Sequence, residues 1–177
     1  DMIKVSGNAW SQNPTFKGSS LMWIEPGKPV SLADLERGVV ISSGNDASVA
    51  VAEHLGGTES SFVDVMNQLA AELGLDNTVY RNPHGLPHPE HRTTARDLAT
   101  LSVALINGHP EHYRIYKEQS FTYNGIKQYN RNSLLRSDAT VDGLKTGYTS
   151  EAGYGLVASA QREDCLLYTS DAADELT

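Results

Sequence analysis

Two short runs in this chain have residue types and spacing suited to chemistry. In Lys145-Thr146-Gly147 an ammonium and a hydroxyl sit on a strand-like stretch. The glycine that follows has no side chain to keep a ligand off the backbone, so the three residues together make a place for a carboxylate. Taken alone, the tripeptide is better read as an ordinary strand ending in a glycine turn. The second run is Ser43-Gly44-Asn45, in which a hydroxyl and an amide two residues apart can point into one cleft, one relaying a proton and the other holding a substrate amide. Ser6-Gly7-Asn8 and Ser11-Gln12-Asn13 repeat that pattern, and for any one of the three a turn or a helix cap is the plainer reading. Context separates them: only Ser43 stands at the mouth of an apolar, small-residue segment with the Lys-Thr-Gly run far downstream.

A third constellation is His84, His88 and His91 with Glu90, in the proline-rich stretch Arg81 to Arg92. Their spacing is loose, prolines interrupt it, and no helix presents two of the histidines on one face. Loop histidines are therefore expected rather than metal ligands. The single cysteine, Cys165, excludes an internal disulfide framework and a zinc site built from several thiolates.

The elements that must position these residues follow from periodicity. Ser31, with Asp34 three residues on, caps a first helix expected to run to about Ser42, with Leu32, Leu35 and Val39 at helical spacing. Asn45 to Leu55 predicts a buried, closely packed helix stopped at Gly56-Gly57. Thr58 caps a third, with Phe62, Val65, Met66, Leu69 and Leu73 expected along one buried face. Thr93 or Thr94 caps a fourth, with Leu98, Leu101 and Leu105 inward, and Pro110 starts a short fifth. Phe121 to Tyr123 and Ile126 to Tyr129 flank Asn124-Gly125, the favoured pair for a two-residue hairpin turn. Leu144 to Thr146 and Tyr154 to Ser159 predict two more strands. The sum is an α+β domain, a helical cluster packed on an antiparallel sheet.

The chain has 177 residues, 39% of them hydrophobic and 20% charged, enough to bury one core. A net charge of -8 without long single-sign runs excludes an electrostatic nucleic-acid footprint. The longest apolar runs fall far short of the roughly 20 residues that span a bilayer, so no membrane span is expected. The sequence opens at Asp1 without an initiator methionine or a signal-type segment and reads as the inside of a longer frame. Residues 1-164 are expected to form part of one domain, and residues 165-177 a non-native or disordered tail.

The two short runs belong to a longer pattern. Asn13-Pro14, Phe16-Lys17-Gly18-Ser19-Ser20-Leu21-Met22, Ser43-Gly44-Asn45-Asp46-Ala47, Leu73-Gly74-Leu75, His84-Gly85-Leu86, Ala95-Arg96-Asp97-Leu98, Tyr123-Asn124-Gly125-Ile126, Asn130-Arg131-Asn132 and Val141-Asp142-Gly143-Leu144-Lys145-Thr146-Gly147 follow one another in order. Over about Asp1 to Gln161 the chain resembles the D-alanyl-D-alanine carboxypeptidases of the low-molecular-mass penicillin-binding protein group, of β-lactamase/transpeptidase-like fold.

That resemblance implies a serine nucleophile in Ser-x-x-Lys, acylated by a peptidoglycan stem peptide with release of the terminal D-alanine and then freed by water. It implies β-lactam antibiotics as covalent inhibitors, no cofactor and no metal, and an extracytoplasmic or periplasmic location, with a membrane anchor in some members. Ser43 would relay the proton to the leaving amine, and Asn45 would hold the acyl-side amide. Lys145 would bring positive charge to the proton network and the substrate carboxylate. Thr146 would bind that carboxylate, Gly147 would leave room for it, and Arg131 would lean toward its pocket. The backbone N–H of Tyr148 would be the strand donor of an oxyanion hole. His84 would shape the loop at the rim. The pattern departs in one respect: none of the six lysines has a serine three residues before it. The expected explanation is that this motif precedes Asp1, so that these residues by themselves are inactive. A β-lactamase of the same fold would carry a loop Glu-x-x-Leu-Asn, which does not occur here. A non-catalytic peptidoglycan-binding protein stays open on these residues.

Overall fold

The structure is a computed structural model, and it describes residues 1–162; the tail expected at 165-177 lies outside the described residues. Two short strands, β1 (Met2–Ile3) and β2 (Val30–Ser31), pair antiparallel and lead into helices α1 (Leu32–Val40), α2 (Asn45–Gly56) and α3 (Glu59–Glu72). After the loop come α4 (Ala95–Gly108), α5 (Pro110–Tyr113) and a 3-10 turn at Arg114–Lys117. Two antiparallel pairs, β3 (Ser120–Tyr123) with β4 (Ile126–Tyr129) and β5 (Val141–Thr149) with β6 (Gly153–Ala160), complete the fold, with α6 (Leu134–Ser137) between them. The α+β class is as expected, but among the described residues the strands form three separate pairs rather than one sheet.

The caps fall where side-chain chemistry demands. Ser31 Oγ accepts from the Asp34 N–H, Thr58 Oγ1 from Ser61 and Thr94 Oγ1 from Asp97, each filling one of the orphan donors of a helix start. The β3–β4 turn has φ of 49° at Asn124 and 76° at Gly125, the double left-handed step that matches the twist of the flanking strands. Helix α1 stops at Val40, earlier than expected, because the chain turns there to set up the loop before α2: Ser42 Oγ bonds back to the Gly38 carbonyl.

The core gathers Ile3, Val5, Met22, Ile24, Val30, Leu35, Ile41 and Val49, with Phe121 packed from β3. Helices α1 and α2 cross closely at Gly38, where an added Cβ would run into Met22 Sδ and lie 3.2 Å from Ala47 Cβ. Two helix faces differ from expectation. On α3 the buried residues are Val63 and Ala70, while Val65 and Leu69 are exposed. The inward stripe contains Asn67, whose amide donates to the Val63 and Tyr80 carbonyls and accepts from the Tyr80 N–H, so a polar tether to the following loop sets the helix's rotation. On α4 the buried residues are Asp97 and Ser102, with Leu98, Leu101 and Leu105 only half-buried. Here the Asp97 carboxylate accepts from the Asn77 N–H and the Thr78 hydroxyl, drawing that face of the helix onto the preceding turn.

Candidate active site

The loop between α1 and α2 carries Ser43, whose backbone takes a φ of 56°, a left-handed conformation that is costly for a residue with a side chain. The neighbouring contacts over-determine it. The Gly44 N–H donates to the Gly38 carbonyl at 2.9 Å and the Asn45 N–H to the Ser20 carbonyl at 2.9 Å. Gly44 has no room for a side chain, since a Cβ there would lie 3.0 Å from both Met22 N and Asp46 Oδ1. The next anchor is Asp46, fully buried in the first turn of α2. Its carboxylate accepts from the backbone N–H groups of Met22, Trp23, Ile24 and Ala47. Burial nevertheless holds this carboxyl above its ordinary value, the four N–H groups offsetting only part of the desolvation. The serine corner is thus clamped from both sides, with Asn45 at the first helical position.

The opposite wall is β5. Strand β6 occupies one of its edges; along the other, no strand pairs with it among the described residues, so its backbone groups are available to a ligand lying alongside. Lys145 Nζ donates to Ser43 Oγ at 2.9 Å and to the Thr146 carbonyl at 2.8 Å. This bond joins the two chemical runs across 102 residues of chain. Burial, and secondarily the nearby Arg131 guanidinium, lower the Lys145 pKa from 10.5 to about 8. Neither Lys145 nor Arg131 has a carboxylate partner among the described residues, although Arg131 is near enough to disfavour the charge on Lys145. Thr146 Oγ1 and the Asn45 amide likewise make no hydrogen bond among the described residues. At Gly147 an added Cβ would meet nothing within 4 Å, which leaves that side of the strand open. Tyr148 turns its ring onto its cross-strand partner Tyr154, centroids 4.5 Å apart.

The structure therefore brings Lys145 into hydrogen-bond contact with Ser43 and close enough to Arg131 to feel its charge, while Asn45 follows Ser43 at the start of α2 and Thr146, Gly147 and Tyr148 continue along β5. His84 stands apart, with Nδ1 accepting from the Leu86 N–H and the ring edge-on to Phe16. Burial, together with the nearby His91, lowers its pKa to about 4, so the ring is neutral and shapes the loop. His88 Nδ1 is taken by the Glu90 N–H, and among the described residues no cluster of histidine, cysteine or carboxylate side chains is arranged to hold a metal. Past Gly147, a groove of about 650 Å³ opens between the loop from Gly85 to Thr93 and the β5–β6 turn, where Thr149, Glu151 and Ala152 line it. Sequence reasoning missed this groove, because its two walls come from distant segments that no local pattern links. It also gave no role to Asn130 and Asn132, whose only signal was their placement either side of Arg131.

A lysine on β5 is thus bonded to a serine on the loop that leads into α2. The family described as D-alanyl-D-alanine carboxypeptidase matches residues 1–170, and the chain belongs to it. D-alanyl-D-alanine carboxypeptidase DacC of Escherichia coli (strain K12) is 51% identical over 169 residues, covering 94% of this chain and 42% of the relative. Penicillin binding protein 5 from Haemophilus influenzae superposes with a TM-score of 0.90 at 46% identity, covering 94% of this chain and 48% of that one. A mutant of the Streptomyces K15 DD-transpeptidase follows at a TM-score of 0.85 and 28% identity, covering 97% and 72%. The chain thus spans about half the length of the curated relatives it matches. No helix among the described residues is long and apolar enough to cross a membrane.

Proposed function

We propose that these residues form one wall and the floor of the active site of a serine-type D-Ala-D-Ala carboxypeptidase that trims peptidoglycan stem peptides outside the cytoplasmic membrane and is acylated by β-lactams. The observation that carries this reading is the Lys145–Ser43 hydrogen bond, with Arg131 nearby and no carboxylate partner for either cation among the described residues. A peptide ending in a free carboxylate supplies the missing charge. Its terminal carboxylate is attracted to Lys145 and Arg131 and accepts from the Thr146 hydroxyl, bringing the last peptide bond beside Ser43.

The nucleophile is the serine of a Ser-x-x-Lys segment, a motif these residues do not contain. That serine attacks the carbonyl carbon of the penultimate residue, its proton passing to the lysine of the same motif, and the tetrahedral oxyanion so formed collapses with cleavage of the C–N bond to the terminal D-alanine. Ser43 hands its proton to the departing nitrogen and recovers one from Lys145, whose pKa near 8 suits it to give and regain a proton at neutral pH. The Asn45 amide holds the acyl-side peptide group, and the Tyr148 N–H steadies the oxyanion. Water then releases the acyl group. In a β-lactam the broken amide stays tethered, which is why the adduct persists.

The test is acylation by a fluorescent penicillin of a protein in which these residues are joined to a Ser-x-x-Lys segment. A stoichiometric adduct on that serine is expected, with none on residues 1–177 alone. A folded protein that forms no adduct refutes the mechanism.

A further inference from the structure

Two asparagines flank Arg131, and both are buried: Asn130 is 4% exposed and Asn132 1%, while the arginine between them is exposed. The segment thus alternates in, out, in, and each inward side chain is a tether. Asn130 Nδ2 donates to the Tyr116 and Glu118 carbonyls, and its Oδ1 accepts from the Asn132 N–H. Asn132 Oδ1 accepts from the Leu134 N–H, starting the turn into α6. Its Nδ2 donates at 3.0 Å to the carbonyl of Gly143, two residues before Lys145 on β5. Packed against Ser159 on β6, that stretch of strand has little freedom to follow a moving neighbour: a Cβ at Gly143 would lie 2.8 Å from Ser159 Oγ.

The arrangement holds two like charges near each other. Repulsion between the cations favours a wider separation, and Arg131 has no acid partner among the described residues to hold it in place. A fully bonded buried amide opposes that motion more strongly than an exposed contact could, since breaking it leaves polar groups unpaired away from water. We propose that Asn132 is a positioning residue, whose bond to the Gly143 carbonyl fixes the spacing of Arg131 from Lys145 and so preforms the site for the ligand's terminal carboxylate. It touches no ligand itself. The inference rests on the carboxylate-site reading given above.

Asn132→Ser separates the two jobs of the side chain. A serine hydroxyl can still accept from the Leu134 N–H as a turn cap, but it is too short to reach Gly143. The experiment follows equilibrium binding by NMR titration on the 177-residue chain, with Nα-acetyl-D-alanyl-D-alanine and its C-terminal amide as probes. Circular dichroism confirms the fold of each variant. The unaltered chain is expected to prefer the acid. Asn132→Ser should weaken the acid about fivefold or more and leave the amide within about twofold. In an Arg131→Ala background the same substitution should change the acid's affinity by less than about twofold, because the group being positioned is gone. Equal losses for acid and amide, or full additivity with Arg131→Ala, would show a merely structural role and overturn the inference. No preference for the acid in the unaltered chain overturns the carboxylate-site reading itself. Should Asn132→Ser fail to fold, Asn130→Ser, which loosens the other tether of the same arginine, is read by the same acid-to-amide ratio and the same cycle.

Discussion

Asp46 and Lys145 are both charged groups withdrawn from water, and they are treated in opposite ways. Asp46 sits in the first turn of α2 with four backbone N–H groups on its carboxylate. Lys145 has only a neutral hydroxyl and a carbonyl for its ammonium, with another cation nearby. The first charge is saturated by the protein and fastens the segment Met22 to Ile24 to the helix that presents Ser43. The second is left short of an anion. A buried charge whose partners are complete is architecture, whereas one whose partners are incomplete marks where a ligand belongs.

The comparison breaks if the two charges respond alike to removal. Asp46→Ala should cost about 3–5 kcal/mol, because it leaves several N–H groups without a partner inside the core, and a urea midpoint measures it. Lys145→Met should instead leave stability unchanged or raise it by about 1–2 kcal/mol at neutral pH, while abolishing the preference for a carboxylate ligand. The same variant should change the pH profile. Unfolded lysine holds its proton up to 10.5, whereas in the fold Lys145 gives it up at about 8. The unfolded chain therefore binds more protons between those values, so the contribution of Lys145 to stability rises as pH climbs from 8 to 10.5. Lys145→Met removes that rise.

His84 sharpens the contrast from the neutral side. Its pKa of about 4 lies below the ordinary 6.5, so acidification through that window protonates the unfolded chain first and lowers stability. His84→Gln should flatten this part of the curve in acid denaturation. The smallest effect is expected at Ser43. Ser43→Gly relieves a left-handed backbone and should gain about 0.5–1 kcal/mol in a thermal melt while removing the hydroxyl proposed as the proton relay.

Local chemistry was legible in the sequence. The caps at Ser31 and Thr58, the Asn124-Gly125 hairpin, and the strands carrying Lys145 and Tyr154 all depend on near neighbours, and all are present. Helix rotation was not, because apolar periodicity reads Asn67 and Asp97 as outward, whereas each faces in to hold a loop. The site was legible as two runs and a family pattern. Its spacing was not: the Ser43 backbone, the Asn132 tether and the groove beyond Gly147 arise only when distant segments meet.

The bond from Lys145 to Ser43 closes a loop of 102 residues. Ordering so long a loop costs about 4 kcal/mol beyond a constant term, and contacts that span a chain this widely are slow to form. Helices and the β3–β4 hairpin need no such closure. The cleft is therefore among the last parts of the molecule to assemble, and a ligand lodged between its walls binds only the finished state. Such a ligand should raise the melting temperature with the logarithm of its free concentration once that exceeds Kd, so that a molecule bound in the cleft also acts as a folding aid.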